Sequence, residues 1–586
     1  MSVDTTFKLK PVADWRRYAV LGLLGLGALG ITGRAFQLQV LQRDFLTAQG
    51  DKRQVRTVSL PGHRAAIRDR RGEPLALSAP VDSLWCVPKD LLASPEHVAA
   101  LAKVLKQPQK QLTRFLEQRA TRQFVYVERG MPPDDARRAL ALKAPGVFST
   151  REYKRYYPAG EVAGQVVGFT DVDGRGQEGM EMAHDDTLRG IAGSRRVIRD
   201  ARGRIVEDTA KEVPAQPGKD LRLSIDLRLQ YLAYRELKSA VALHKAKGGL
   251  VVVADARTGE LLAVASQPGY NPNNVEDRKP GRMRNRAIVD SFEPGSSVKP
   301  LLVAQALEIG AYNENSHIDT GKGWMQVARL TVRDVHAMGD VNLATMLAKS
   351  SNVGAAKIGL EIGAESVWQG YQKFGLGDRV ASGFPGESAP LLRPYMQWGQ
   401  IATATASYGY GMSLNALHLV RAYAALGNDG LMPQLRLVSD QKVQPPQRAV
   451  SAQTARSIRH MLEAVASKEG TGLRASIPGY RVAGKTGTVR KVADTGGYDA
   501  DRHQSVFIGM VPAEQPRLIG LVMIDEPSAG QYYGGVVSAP VFSTVLQGAL
   551  RLLQIAPDEC RVDCGPQPPR PQLAMPALPP PTEPQT

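Results

Sequence analysis

Two serines, Ser296 and Ser297, stand side by side in EPGSSVKP (293–300), with Lys299 three residues after the first. A serine hydroxyl is barely ionised near neutral pH and attacks a carbonyl only when a neighbouring base takes its proton. Lysine can serve where burial or a nearby positive charge lowers its pKa. Proline is tolerated in the first turn of a helix, where its missing N–H has no partner to lose. Pro300 therefore predicts a helix beginning near residue 297 or 298. Ser296 would sit at the helix mouth, where orphan N–H groups and the dipole favour developing negative charge. Side chains three residues apart share one face of a turn, which pairs Lys299 with Ser296 and sends Ser297 elsewhere. Ser296 is the candidate nucleophile and Lys299 the candidate base. The bland alternative is a serine cap beside a solvated lysine, and SxxK alone occurs often by chance.

Two further stretches extend the chemistry. In LAKSSNVGAAKIG (347–359), Ser350 and Asn352 adjoin a helical pattern. The hydroxyl could relay a proton while the amide orients lysine and substrate. In AGKTGT (483–488), strand alternation puts Lys485 and Gly487 on one face. Gly487 strips that face of side chain, so a ligand backbone can approach closely. Lys485 would attract a carboxylate and, by its charge, keep Lys299 neutral. Read singly, each stretch is as well described as a polar helix end or a glycine-containing strand.

Elements able to hold these residues are legible around them. GLVVVADARTGELLAVAS (249–266) reads as two strands joined by a tight turn. A short strand and an amphipathic helix precede it in 220–241. Helical periodicity dominates from about 297 to 470, and apolar strand runs return at 480–488, 505–512 and 517–526. Strands at both ends with helices between predict one α/β (α+β) domain over 220–557, its antiparallel sheet closing N- and C-terminal segments together. Upstream, 42–219 is rich in arginine and glycine-centred turns and reads as an elongated α+β region. Residues 558–586 contain PPRP and PPPTEP, an extended, disordered composition.

The formal charge of +17 favours an anionic partner such as nucleic acid, anionic lipid or acidic cell-wall polymer. No zinc-finger spacing, RNA-recognition signature or GxxxxGK[ST] loop accompanies it, so the charge does not argue for nucleic acid. Three cysteines, Cys86, Cys560 and Cys564, are neither a disulfide framework nor a zinc array. Cys560 and Cys564 could close a small loop or remain thiols. HExxH is absent, and neither metal nor cofactor is expected. Near the N-terminus, YAVLGLLGLGALGITG carries no charge from Tyr18 to Gly33, and AFQLQVL extends the apolar character past Arg34. This predicts a cytoplasmic segment over 1–17 and a membrane anchor over 18–41, a removed signal peptide being the alternative. Lysine and arginine flank both ends, so their count does not orient it.

In the order SxxK, SxN, KTG, separated by about 50 and about 130 residues, the three motifs match the set of penicillin-binding proteins and serine β-lactamases. FEPGSSVKP, KSSNVGAAK, YNPNN (270–274), SYGYGMS (407–413), AGKTGT and YYGGVVSAPVF (532–542) resemble the division-specific class B D,D-transpeptidases of FtsI type. Upstream, RAAIRDRRG (64–72), DSLWCVPKD (82–90), YYPAGEVAGQVVGFTDVDG (156–174), GQEGME (176–181) and TLRG (187–190) are similar too. Ala65 and Arg71 depart from the Gly and Asn more usual there, which bears on local turn geometry.

The resemblance implies a penicillin-recognising transpeptidase domain on an N-terminal pedestal, anchored in the bacterial inner membrane and facing the periplasm. Its substrate would be a peptidoglycan stem peptide ending in D-Ala-D-Ala, derived from the lipid-linked precursor, and β-lactams would acylate the same serine. The implied oxyanion hole is the backbone N–H of Ser296 and of Thr488. Thr486 and Thr488 would hold the terminal carboxylate beside Gly487, Asn352 would meet the substrate amide, and Tyr408, Tyr410, Tyr532 and Tyr533 would line the cleft. Implied partners are a SEDS-family glycosyltransferase (FtsW) and other divisome proteins. An elongation-type enzyme shares most motifs. A β-lactamase would need a water-activating glutamate, yet Glu387 lies in ESAP and not in ExxLN. A β-lactam sensor would share the acylation residues without cross-linking.

Overall fold

The structure is a computed structural model that describes residues 14–46, 55–60, 62–199, 205–493 and 496–558. Cys560, Cys564 and nearly all of the proline-rich tail lie outside the described residues. Helix α1 (Asp14–Phe36) continues into a π-helical turn over Gln37–Leu41. Its 27-residue apolar stretch Trp15–Leu41 is long enough to cross a membrane, and none of its most apolar part is buried against protein. At about 1.5 Å per residue such a stretch exceeds a hydrocarbon core of about 30 Å.

The rest divides into two compact units whose segments interleave along the chain. The first comprises residues up to 63, 80–152 and 190–218. It contains a three-stranded antiparallel sheet of Val55–Leu60, Gly193–Arg199 and Ile205–Val213. A separate core forms where Leu84 and Cys86 meet Leu91, Leu101, Leu112 and Leu116 from short helices. Cys86 is fully buried there, and burial pushes its thiol up to about 12, so it behaves as a small core side chain.

The second unit comprises 64–79, 153–189 and the chain from 219 onward. Strands β1 (Gly248–Asp255), β2 (Leu261–Gln267), β3 (Ala483–Val492), β4 (Tyr498–Val511) and β5 (Leu518–Asp525) form one antiparallel sheet in the order β2-β1-β5-β4-β3. The expected hairpin is β1–β2, and β1 pairs along its length with β5, which closes the two ends of the domain on each other. The sheet is covered on both faces, and alternation along β1 shows why it reads as a continuous apolar run. Leu250, Val252 and Ala254 enter one core with the central helices. Val251 and Val253 enter the other, with α2 (Leu227–Leu243) and the C-terminal helix Ala539–Leu552.

The segments 64–79 and 153–189 are tied to each other by a buried charge cluster, and to the chain from 219 onward by bonds such as Ala66 N–H to Asp220 Oδ1 and Tyr157 N–H to Asn273 Oδ1. Arg64 and Arg155 both pair with Glu181, whose side chain is fully buried, and Arg64 also reaches Asp185. At the two positions where glycine and asparagine are more usual, the turns are made by other means. Ala65 is buried, its N–H donates to Leu188 O, and it does not take a positive φ. The turn holding Arg71 is made by Asp69 Oδ1, which accepts from the N–H of Arg71 and Glu73 around Gly72 at φ +92°.

Candidate active site

The α-helix after EPGSS, α3 (Lys299–Glu308), begins one or two residues later than Pro300 predicts, because a 3₁₀ turn over Gly295–Val298 precedes it. That turn is braced from behind. Gly295, at φ +54°, donates its N–H to Gly409 O at 3.0 Å, and a Cβ on Gly295 would lie 2.5 Å from Val489 Cγ2. Ser297 is fully buried, its hydroxyl donating to Pro294 O at 2.7 Å while its carbonyl accepts from the Tyr423 hydroxyl at 2.8 Å. Ser296 is half-buried. Among the described residues no hydrogen bond occupies the Ser296 hydroxyl.

Lys299, on the first turn of α3, is fully buried. Its Nζ donates to Ser350 O and to Asn352 Oδ1, both at 2.7 Å, and lies 3.4 Å from Ser350 Oγ. A neutral amine has two N–H donors and one lone pair, so these two short bonds use both donors and leave the lone pair free. Burial first, then the neighbouring charge of Lys485, pushes Lys299 well below the usual lysine range, while Asp334 acts in the opposite sense. Lys485 is also fully buried; its Nζ donates to Ser350 Oγ at 2.9 Å and to Thr486 O at 3.1 Å, and burial lowers it to about 7. Ser350 Oγ thus stands between two lysines.

Ser350 can occupy that place because it turns the chain between α4 (Leu343–Lys349) and α5 (Asn352–Lys373), taking the left-handed conformation at φ 61°, ψ 42°. The start of α5 is held by a residue the motifs do not announce. Asp334 accepts from Ser351 Oγ at 2.6 Å, from Asn352 N–H at 2.5 Å and from Val353 N–H at 3.0 Å. Asn352 Nδ2 donates to Arg333 O at 3.1 Å, which aims its Oδ1 at Lys299. An acid some 17 residues upstream of a helix start carries no local signal of this role.

AGKTGT lies on β3, the edge strand of the sheet. Lys485 and Gly487 share one face, and a Cβ on Gly487 would sit 3.3 Å from Val506 Cβ and 3.7 Å from Pro294 O, against the turn that carries Ser296. Thr486 and Thr488 share the other face. Thr486 Oγ1 is 2.7 Å from Thr471 Oγ1, and Thr488 Oγ1 accepts from Gly534 N–H at 3.1 Å. Of the four tyrosines, Tyr408 and Tyr410 flank Gly409 and pack edge to face with centroids 5.7 Å apart. Tyr410 packs in turn on Tyr498, whose hydroxyl donates to Glu293 Oε1 at 3.1 Å. Tyr532 stacks between His503 and Tyr533, and Ser505, opposite Thr488 in the sheet, donates its hydroxyl to Tyr532 O. Glu293 and Tyr498 were not singled out by sequence; their link depends on the β3–β4 hairpin and the 409–411 loop meeting in space.

Glu387 is committed elsewhere, accepting from Ala381 N–H, Ser382 N–H and Ser382 Oγ, the last at 2.6 Å. Among the described residues no cluster of His, Cys, Asp or Glu side chains is arranged to hold a metal ion. The arrangement brings together a hydroxyl with no hydrogen bond on a braced turn, a buried amine of lowered basicity, a hydroxyl bridge to a second lysine, and an edge strand beside them.

Comparison with known proteins agrees. Residues 249–547 match the family described as penicillin binding protein transpeptidase domain, and residues 59–223 the penicillin-binding protein dimerisation domain. The chain is 40% identical to the probable peptidoglycan D,D-transpeptidase PbpC of Pseudomonas aeruginosa, covering 93% of this chain and 96% of that one. It is likewise 40% identical to the peptidoglycan D,D-transpeptidase FtsI of Escherichia coli, covering 93% of both. Among solved structures, penicillin-binding protein 3 of Mycobacterium tuberculosis in complex with aztreonam superposes with a TM-score of 0.66 at 27% identity, over 85% of this chain and 98% of that one.

Proposed function

The chain belongs to the class B penicillin-binding proteins, peptidoglycan D,D-transpeptidases, and on that premise we propose that Ser296 is its acylating nucleophile and Lys299 the base. Ser296 Oγ attacks the carbonyl carbon of the penultimate D-Ala as its proton passes to Lys299 Nζ. The backbone N–H groups of Ser296 and Thr488 receive the oxyanion. Collapse breaks the peptide C–N bond, and the proton moves from Lys299 through Ser350 Oγ to the departing D-Ala amine. An amine of a second stem peptide then attacks the ester carbonyl, gives up its proton by the same route, and releases Ser296. With a β-lactam the broken C–N bond leaves the amine tethered in the site, so the acyl-enzyme persists. Lys485, with the Thr486 and Thr488 hydroxyls, receives the carboxylate that both ligands carry. Asn352 holds the substrate amide, Gly487 admits its backbone, and Tyr408, Tyr410, Tyr532 and Tyr533 wall the cleft.

The observation that carries this reading is the Lys299 amine, fully buried with both donors engaged on Ser350 and Asn352. The test is intact mass after exposure to benzylpenicillin, then peptide mapping. An adduct on the peptide containing Ser296, absent in Ser296→Ala, is expected; an adduct elsewhere would refute it. The engagement of Glu387 in its own loop weighs against a β-lactamase, so the adduct should be long-lived.

The cellular role follows from substrate and motifs. Stem peptides lie outside the cytoplasmic membrane, which puts the catalytic domain on the periplasmic side of α1. Close kinship of FEPGSSVKP and WCVPKD to the division enzymes supports septal cross-linking, with an FtsW-type glycosyltransferase meeting the exposed anchor helix and the pedestal, residues 42–219. A fluorescent fusion should gather at midcell; uniform labelling of the lateral wall would favour an elongation role instead.

A further inference from the structure

The relay just described depends on where Ser350 and Asn352 are held, at the junction where Ser350 and Ser351 N–H close the end of α4 on Leu347 O and Met346 O. Ser350 is a left-handed residue between two helices, a conformation that costs a non-glycine side chain free energy and persists only where its surroundings impose it. Lys299 and Lys485 hold Ser350 itself, and one side chain holds the three residues that follow it. Asp334 lies on the loop after the strand Leu330–Arg333. One oxygen accepts from the backbone N–H of Asn352 and Val353, and the other accepts from the Ser351 hydroxyl. The Ser351 hydroxyl in turn accepts from Gly354 N–H at 2.8 Å. Three donors of the SSN turn therefore converge on one carboxylate at the N-terminus of α5, where negative charge is also favoured by the helix dipole.

Charge adds a second function. The groups that face the Lys299 amine are Lys485 from β3 and Asp334 from this loop; Arg333 and His336, its charged or titratable chain neighbours, are exposed. We infer that Asp334 is a positioning residue for acylation, pinning the turn that presents Ser350 and Asn352 to Lys299 and supplying the negative charge that faces the buried Lys299 amine. The charge opposes the repulsion from Lys485 and so holds Lys299 basic enough to accept the Ser296 proton.

This inference rests on the serine–lysine reading above, and its test separates the two. The full-length protein in detergent is acylated with a fluorescent penicillin, the second-order rate is followed from pH 5 to 10, and the wild-type adduct is first mapped. Absence of a Ser296 adduct in the wild type would remove the serine–lysine reading itself. Asp334→Asn keeps an oxygen for the two backbone N–H groups and can donate to Ser351 Oγ, but it removes the charge. Its acid limb should move to lower pH by half a unit or more on the order of a 3-fold change in proton affinity, with thermal unfolding little changed. Ser351→Ala removes two hydrogen bonds, one to Asp334 and one from Gly354 N–H, and keeps the charge, so its stability should fall while its limb stays in place. If Asp334→Asn fails to fold, Asp334→Ser, a neutral hydroxyl cap, reads the same limb. A limb superimposable on wild type in the folded neutral variant, whether the rate is unchanged or uniformly lower, would overturn the inference and leave Asp334 a helix cap.

Discussion

Replacing Lys485 by methionine removes a charge proposed to serve two purposes, and ligands with and without a carboxylate separate them. The amines of Lys485 and Lys299 reach the same Ser350 oxygen at 2.9 and 3.4 Å. The two nitrogens are therefore no more than about 6 Å apart. Two unit charges at about 6 Å repel by about 3 kcal/mol at an effective dielectric near 20, or about 2 pKa units. In Lys485→Met the Lys299 amine should hold its proton to higher pH, and the acid limb of the acylation rate should move up by about 2 units. This shift should appear with any ligand, because it belongs to the free enzyme. Recognition of the ligand carboxylate is the second purpose. Losing the partner of a desolvated ion pair commonly costs about 2–5 kcal/mol, so benzylpenicillin should be acylated at least ~100-fold more slowly on the plateau. Its methyl ester, lacking that carboxylate, should change little there. Lys485 titrates at about 7 and is cationic only below it, so wild-type acylation by benzylpenicillin should decline as pH rises through that value. The ester should show no such decline. An unmoved acid limb together with equal plateau losses for both ligands would refute both roles.

Ser296→Ala should take up no benzylpenicillin, whereas Ser297→Ala should keep most of its acylation and lose about 1 kcal/mol of stability with its bond to Pro294 O; mass spectrometry and thermal melts read the two. Gly409→Ala should slow acylation at least ~10-fold, since its Cβ would lie 2.1 Å from Gly295 O at a φ of +88°, and displacing that loop costs about 1–3 kcal/mol. Acylation at wild-type rate would mean the brace behind Ser296 is dispensable. Deleting residues 1–41 should move the protein from the membrane to the soluble fraction with penicillin uptake intact. Persistence in the membrane pellet would locate a second attachment.

What the sequence alone determined is local. The i, i+3 spacing picks Ser296 over Ser297 as the partner of Lys299, and the structure turns Ser297 inward to Pro294. Alternation in AGKTGT separates Lys485 and Gly487 from the two threonines, and the β1–β2 turn and the apolar N-terminal helix follow from composition and period. The alternation, the turn and the helix are legible because each rests on backbone geometry within one or two turns. Even there the α-helix begins at Lys299, since a 3₁₀ turn intervenes and only its packing against β3 and Gly409 selects it. The rest was decided by contacts between distant segments. Residues 64–79 and 153–189, read as one region with 42–219, belong to the larger unit and are linked to each other by a buried Arg64–Glu181–Arg155 cluster that no periodicity announces. Asp334 and Glu293 are ordinary acids in sequence. One becomes the cap of the SSN turn and the other the anchor of Tyr498 only when the folded chain brings those partners to them. The lowered basicity of the two lysines is likewise a property of the closed core: a lysine in a string of letters is a cation, and burial, with Lys485 beside Lys299, is what weakens the hold on the proton.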